Sequence, residues 1–154
     1  MKTILFICTG NLCRSPMAEA LMNERLNRTD VIARSAGTWA IEGRPPPRPT
    51  VQVMAEHGLD IRNHRTHSVT TADIAAASVV LGMTRDHVEA LRLDFPDHAD
   101  KIFLFSEMAG RRFDVPDPYG SSVASYRQAA DVIMAVLEKG YERIMTYVTT
   151  ASKD

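Results

Sequence analysis

A thiol, a guanidinium and a hydroxyl lie within one short stretch near the start of the chain, at Cys8, Arg14 and Ser15. The thiolate of a cysteine is a strong nucleophile, and a nearby cation or the N-terminus of a helix favours that ionised form. The guanidinium of arginine offers a planar fork of donors that matches two oxygens of a phosphate. These residue types and their spacing predict a site that holds a tetrahedral oxyanion beside a nucleophilic sulfur.

The segments on either side of this stretch predict a loop between a strand and a helix. The apolar run 4–7 suits a buried strand, and the residues from Pro16 onward favour a helix that Ser15 caps. Gly10 permits a positive φ, and Asn11 tolerates the same left-handed conformation. Backbone N–H groups of such a loop converge with the positive end of the helix dipole. The predicted cradle consists of Thr9, Gly10, Asn11, Leu12, Cys13, Arg14 and Ser15.

Strands and helices alternate along the rest of the chain. We predict strands at 4–7, 31–33, 78–83 and 101–105, and helices at 16–28, 50–57, 85–91 and 122–146. This alternation predicts a single three-layer α/β domain over residues 1–150, with a parallel sheet in the order 2-1-3-4 and helices on both faces. The polar tail at 151–154 is expected to fray. Ligands of such sheets bind beyond the carboxyl ends of the strands, where Cys8 is placed.

The composition restricts the functions open to the chain. Its 154 residues are 45% hydrophobic and carry a formal net charge of −1, and the arginines are spread along the chain. These features predict neither a nucleic-acid surface nor a membrane anchor. No signal peptide or membrane-spanning run is visible, and two cysteines cannot build a disulfide scaffold. We therefore expect a cytoplasmic domain that binds no nucleic acid and no membrane, and uses no metal and no cofactor.

A second candidate for chemistry is Asp117, between two prolines in the segment Asp-Val-Pro-Asp-Pro-Tyr-Gly. Attack of a thiolate on phosphorus expels an oxygen leaving group, and a nearby carboxylic acid can protonate that oxygen. Asp-Pro is also a turn signal by itself, so Asp117 has a purely structural interpretation as well. Asp114 is the alternative acid, and Tyr119 is expected to line the cleft and stack on an aromatic substrate.

The run from Cys8 to Glu19, Cys-Thr-Gly-Asn-Leu-Cys-Arg-Ser-Pro-Met-Ala-Glu, resembles the low-molecular-weight protein tyrosine phosphatase family. The resemblance implies a phosphocysteine intermediate on Cys8 and phosphate held by Arg14 and the loop amides. It also implies that Ser15 assists the thiolate and that Asp117, in an Asp-Pro-aromatic-Gly motif, is the general acid and base. The implied partner is a phosphoprotein or phosphopeptide, with phosphate or another oxyanion in the loop.

Two further residues receive roles only from the resemblance. His64 matches the histidine that supports the phosphate loop through Ser15 and Asn11, and Trp39 matches an aromatic wall of the substrate cleft. A solvent-facing histidine and a simple loop anchor are the structural alternatives for these two residues.

The leading interpretation is hydrolysis of phosphotyrosine, and three alternatives stay open. A protein-arginine phosphatase is one, although that branch tends to carry Thr where this chain has the aliphatic Leu12. An arsenate reductase needs a cysteine relay, and no cysteine follows Cys13. The third is a phosphate-binding or redox-sensing module without turnover. Cys13 either forms a reversible disulfide that protects Cys8 or packs beneath the loop.

Overall fold

A four-stranded parallel sheet forms the centre of the computed structural model, which describes residues 1–151. Its strands are β1 (Lys2–Cys8), β2 (Val31–Gly37), β3 (Val79–Gly82) and β4 (Ile102–Leu104). The strand order β2-β1-β3-β4 confirms the predicted order. Because β1 pairs with both β2 and β3, its carboxyl end lies in the middle of the sheet edge, with Cys8 opposite Gly37 of β2.

Helices cover both faces of this sheet. They are α1 (Arg14–Arg25), α2 (Arg48–Glu56), α3 (Thr71–Ala76), α4 (Arg85–Asp94) and α5 (Val123–Ala151). Short 3₁₀ helices at Pro96–Lys101 and Phe105–Ala109 flank β4. Within residues 1–151, no helix combines the length and the apolar character needed to cross a membrane.

Alternate side chains of β1 enter two separate hydrophobic cores, which confirms the predicted three-layer arrangement. Ile4 and Phe6 belong to the larger core, which α1 and α5 complete, and the ring of Phe6 meets that of Phe105 edge-on at 5.5 Å. Leu5 and Ile7 point to the opposite face and pack with residues of α3 and α4. This alternation follows from the period of two in a strand, and it holds β1 rigidly from both sides.

The ends of the first helix differ from the prediction. Helix α1 begins at Arg14, and the residue before it, Cys13, provides no side-chain cap. Ser15 therefore lies inside the first turn, where its hydroxyl faces the Cys8 thiol instead of capping the helix. The helix ends at Arg25 and not at Arg28, because Leu26 adopts an extended conformation.

Three other helices are longer than predicted. Helix α2 begins at Arg48, α4 continues past Leu91 to Asp94, and α5 continues past Thr146 to Ala151. In this last part the hydroxyls of Thr146 and Thr150 donate to carbonyls one turn earlier, so these polar groups are satisfied within the helix. The tail at 151–154 was expected to fray. Its first residue, Ala151, is instead the last residue of α5, and residues 152–154 lie outside the described residues.

Candidate active site

The loop between β1 and α1 turns through one left-handed residue, and that residue is Asn11. Its φ is 57°, whereas Gly10 does not have a positive φ, so the expectation for Gly10 was wrong. A Cβ on Gly10 would meet only the side chain of Leu12, at 3.4 Å. The conformational freedom of glycine is therefore not what shapes the loop.

Hydrogen bonds from three other segments hold Asn11 in this conformation. Its buried side-chain amide donates to the hydroxyls of Ser15 and Ser35, each at 2.9 Å, and its Oδ1 accepts the backbone N–H of His67 at 3.0 Å. His64 Nε2 donates to the Asn11 carbonyl at 2.8 Å, and burial lowers the pKa of this histidine. His64 therefore supports the loop through the backbone carbonyl of Asn11 and does not hydrogen-bond to Ser15 directly. The side-chain amide of Asn11 makes the hydrogen bond to Ser15.

Cys8 and Ser15 face each other beneath the loop. The Cys8 Sγ lies 3.0 Å from the Ser15 Oγ, and the thiol-bearing residue is buried at the base of a cleft. The Ser15 oxygen accepts a hydrogen bond from Asn11, so its own proton remains for Cys8 or for the Ala36 carbonyl, 3.4 Å away. A hydroxyl in this position can donate to a thiolate on Cys8.

Arg14 is a buried cation whose donors are only partly used within the protein. Its Nη1 donates to the Val115 carbonyl at 3.1 Å, and its Nη2 lies 3.5 Å from a carboxylate oxygen of Asp117. Among the buried side-chain atoms of the described residues, the Arg14 Nε has no hydrogen-bond partner. An unpaired buried donor is costly unless a ligand satisfies it, and a phosphate oxygen is a suitable acceptor for it.

The two candidate acids are in different surroundings. Asp117 lines the cleft with Cys8, and its Oδ1 accepts the backbone N–H of Tyr119 at 3.1 Å, so it also forms the turn that its sequence predicts. Asp114 is instead paired with Arg85, whose backbone N–H and guanidinium lower the pKa of that carboxyl. Only Asp117 is brought to the thiol and the guanidinium.

The cleft above Cys8 has a volume of about 300 Å³ and a largely apolar mouth. Trp39 and Tyr119 are 74% and 63% exposed and flank it, and Leu12 contributes to its wall. Three further lining residues, Ile41, Arg44 and Thr66, were missed in the sequence, because they lie in irregular segments without a motif.

Gly37 brings the end of β2 into contact with the cradle. A Cβ at this position would lie 2.3 Å from the Thr9 carbonyl oxygen and 3.1 Å from the Asn11 nitrogen, so no larger residue fits without moving backbone. The following backbone amides, those of Thr38 and Trp39, donate to the carbonyls of Cys8 and Thr9 at 2.9 and 3.0 Å. The first residues after β2 therefore fix the path of the cradle.

Cys13 is buried beneath the loop and makes a hydrogen bond to the C-terminal helix. Its thiol donates to the hydroxyl of Tyr126 on α5, with the two atoms 3.7 Å apart. Burial raises the pKa of Cys13 to about 11, so at neutral pH it is a protonated thiol. Both cysteines are free.

One histidine that contacts the loop was also missed. His87, in the first turn of α4, lies 2.8 Å from the hydroxyl of Thr9. Its sequence signal is its position three residues after Thr84, which marks the start of a helix, but nothing local indicates a contact with Thr9.

A cradle that joins a strand to a helix, with a thiol at its base, a buried guanidinium and a carboxyl group at its mouth, defines a phosphate-ester hydrolase of the cysteine-nucleophile type. Residues 3–150 match the family model for Low molecular weight phosphotyrosine protein phosphatase. The chain belongs to this family, which confirms the resemblance of its first loop, and it is a hydrolase of phosphoric monoesters.

Relatives with two different activities resemble the chain to a similar degree. A probable low molecular weight protein-tyrosine-phosphatase, EpsP of Ralstonia nicotianae, is 35% identical over 94% of this chain and 97% of its own length. A protein-arginine-phosphatase of Geobacillus stearothermophilus is 36% identical over 93% of this chain and 96% of its own. The crystal structure of a low molecular weight protein tyrosine phosphatase from T. tengcongensis superposes with a TM-score of 0.87, at 39% identity, over 93% of this chain and 99% of the other.

Proposed function

We propose that the chain hydrolyses phosphotyrosine in proteins or peptides through a phosphocysteine intermediate on Cys8. The observation that carries the proposal is the meeting, in one cleft, of the Cys8 thiol, the unpaired Nε of Arg14 and the carboxyl group of Asp117. Nucleophile, anion site and proton donor are the three groups that phosphoryl transfer through a thiolate requires.

The reaction proceeds in two displacements. Phosphate oxygens bind the Arg14 guanidinium and the backbone N–H groups of the loop, and the Cys8 thiolate attacks phosphorus. The sulfur–phosphorus bond forms as the bond to the leaving oxygen breaks, and the carboxylic acid of Asp117 protonates that oxygen. The resulting carboxylate then takes a proton from water as the water attacks the phosphocysteine, which releases inorganic phosphate and restores Cys8. The Ser15 hydroxyl stabilises the thiolate when Cys8 is regenerated.

The cleft mouth supports an aromatic substrate. Trp39 and Tyr119 offer ring faces on which a phosphotyrosine ring can stack, and Leu12 presents an aliphatic surface next to the loop. Leu12 also has no hydrogen-bonding group for the polar guanidinium of phosphoarginine. These features favour phosphotyrosine over phosphoarginine.

Protein-arginine phosphatase activity is the second candidate, because a relative with that name matches the chain as well as a tyrosine phosphatase does. The deciding experiment assays peptides with phosphotyrosine and with phosphoarginine side by side. We expect kcat/KM to be higher for phosphotyrosine and Leu12→Thr to shift the ratio towards phosphoarginine. Faster release of phosphate from phosphoarginine by the wild type would reverse the assignment.

The control for both substrates is Cys8→Ser. We expect this variant to keep the far-UV circular dichroism spectrum of the wild type and to lose all hydrolysis, including that of p-nitrophenyl phosphate. Activity that survives the substitution would overturn the nucleophile assignment.

A nucleophilic thiol that lies five positions from a second cysteine also needs a reducing compartment, which supports the cytoplasmic location predicted from the sequence.

A further inference from the structure

His87 is a buried residue of α4 whose two ring nitrogens have separate partners. It is 6% exposed and occupies the third position of the helix, where its backbone N–H donates to the hydroxyl of the N-cap residue Thr84 at 3.2 Å. Its Nδ1 accepts the backbone N–H of Thr84 at 3.1 Å, which completes a reciprocal cap, and lies 3.0 Å from the Thr84 hydroxyl, which can donate to the same nitrogen. Its Nε2 lies 2.8 Å from the Thr9 Oγ1, 78 positions away in the chain.

These contacts fix the proton of the imidazole. The backbone N–H of Thr84 can only donate, so the Nδ1 that accepts from it carries no proton. A neutral ring then has its proton on Nε2, and this N–H donates to the Thr9 hydroxyl oxygen. Burial and the positive charge of Arg14 lower the pKa of His87 to about 4, against the opposing effect of nearby carboxylates, so the ring is neutral at pH 7. The opposing carboxylates are those of Asp86, Asp114 and Asp117.

Thr9 is thereby left as a donor. A hydroxyl has one proton, and an oxygen that already accepts from His87 offers that proton to another acceptor. Thr9 directly follows Cys8, is exposed, and lines the cleft together with Arg14 and Asp117. The acceptor available there during the reaction is an oxygen of the bound phosphoryl group.

We propose that Thr9 is a catalytic residue whose side-chain hydroxyl donates a hydrogen bond to a phosphoryl oxygen, and that His87 is the positioning residue that orients it. The inference rests on the proposed function, and it adds a side-chain donor to the backbone donors of the loop. Charge on the phosphoryl oxygens is what the site must stabilise during transfer, and donors that are oriented in advance do this without reorganisation.

The test is a double-mutant cycle with Thr9→Val, His87→Asn and the combined variant. Val has nearly the shape of Thr without the hydroxyl, and the side-chain oxygen of Asn can replace Nδ1 in the cap of Thr84 but is too short to reach Thr9. We expect each single variant to lower kcat/KM for p-nitrophenyl phosphate by about tenfold, the value of one hydrogen bond to a charged group. The combined variant is expected to lose about tenfold as well and not a hundredfold, because both changes remove the same interaction. Thr9→Ser, which keeps the hydroxyl, is expected to retain most of the activity.

The dissociation constant of inorganic phosphate, measured calorimetrically on the same four proteins, gives a readout independent of turnover. We expect the same non-additive pattern in that constant. If the wild type binds phosphate and hydrolyses no phosphomonoester, the proposed function fails while the phosphate constants still decide the role of Thr9 and His87. The proposal would be overturned if the losses in kcat/KM of the two single variants were additive, or if Thr9→Val kept the activity of the wild type. It would also be overturned if the wild type bound no phosphate. A pH–rate profile that loses a limb between pH 5 and 8 in His87→Asn would do so too, since it would mean that the ring titrates there.

Discussion

The guanidinium of Arg14 lies 3.5 Å from the carboxylate of Asp117, so the residue proposed to bind phosphate also holds the residue proposed to donate the proton. The two partners differ in exposure, with 5% of the Arg14 side chain and 55% of the Asp117 side chain accessible. An incoming phosphate would share the guanidinium with Asp117, and Asp117 is the more exposed of the two partners. We therefore expect substrate binding to loosen this ion pair and leave the carboxyl group beside the leaving oxygen.

Asp117→Asn is expected to lower kcat by about 10²–10⁴-fold on phosphotyrosine, because the amide cannot protonate the leaving oxygen. The loss is expected to be smaller for p-nitrophenyl phosphate, whose leaving group needs less assistance. Steady-state kinetics on both substrates measures the difference. Asp114→Asn is the matched control, since Asp114 is paired with Arg85 outside the cleft. If Asp114→Asn shows the larger loss, the acid has been assigned to the wrong residue.

Gly37→Ala is expected to distort the cradle, because the added methyl group would overlap the Thr9 carbonyl oxygen. Overpacking of this kind costs about 1–3 kcal/mol of unfolding free energy, and displacement of the loop lowers kcat/KM about 10²-fold. Urea unfolding and steady-state assays measure the two effects. Gly58→Ala is the control, since it has a positive φ and open space around it. It is expected to lose stability but keep its activity, and equal activity in both variants would refute the packing argument.

Cys13 is expected to rescue the enzyme from peroxide. Oxidation of Cys8 gives a sulfenic acid, which condenses with the Cys13 thiol to a disulfide and releases water. We expect dithiothreitol to restore the peroxide-treated wild type, and Cys13→Ser to remain largely inactive because its sulfenic acid oxidises further. The serine keeps a hydroxyl near Tyr126, so the packing beneath the loop changes little. Equal recovery of the two proteins would leave Cys13 with a packing role only.

The stability of the fold is expected to fall in acid because of His87. Its pKa is about 4 in the folded chain and 6.5 in the absence of tertiary contacts, so below pH 6.5 the unfolded chain binds a proton that the folded chain does not. The stabilisation that the neutral His87 gives to the folded chain is complete above pH 6.5 and decreases as the pH falls towards 4. We expect this loss of unfolding free energy to amount to about 2–3 kcal/mol between pH 7.5 and 4.5. Urea unfolding of the wild type and of His87→Asn at both pH values isolates this difference, and parallel pH dependence of the two would show that His87 does not contribute.

Local sequence patterns were sufficient for the sheet and for the position of the cradle. The apolar run that becomes β1 and the helix formers after Pro16 are neighbours in the chain, so the loop between them could be placed without knowledge of tertiary contacts. The internal conformation of the loop could not be predicted in this way. Gly10 is the usual residue for a positive φ, but Asn11 takes that conformation because Ser35 and His67 supply partners for its amide.

The capping role predicted for Ser15 was wrong and the contact of His87 with Thr9 was missed, for a related reason. Each occupies the first turn of a helix, where a polar residue is explained by capping alone. Ser15 faces the Cys8 thiol instead of capping α1, and His87 caps α4 with one nitrogen while it contacts Thr9 with the other. The second partner of a side chain is a tertiary contact, and no pattern in the neighbouring sequence reports it.

The dependence of Asn11 on other segments ties the anion site to the completed fold. Its contacts come from α1, from Ser35 on β2 and from the segment that contains His64 and His67. A partly folded chain in which only β1 and α1 have formed has the whole cradle sequence but only the Ser15 contact to hold its left-handed turn. We therefore expect phosphate to bind only the completed domain and, by mass action, to raise the melting temperature and slow local opening of these segments. A substitution that loosens the segment around His64 and His67 is expected to weaken phosphate binding, although neither histidine lines the cleft.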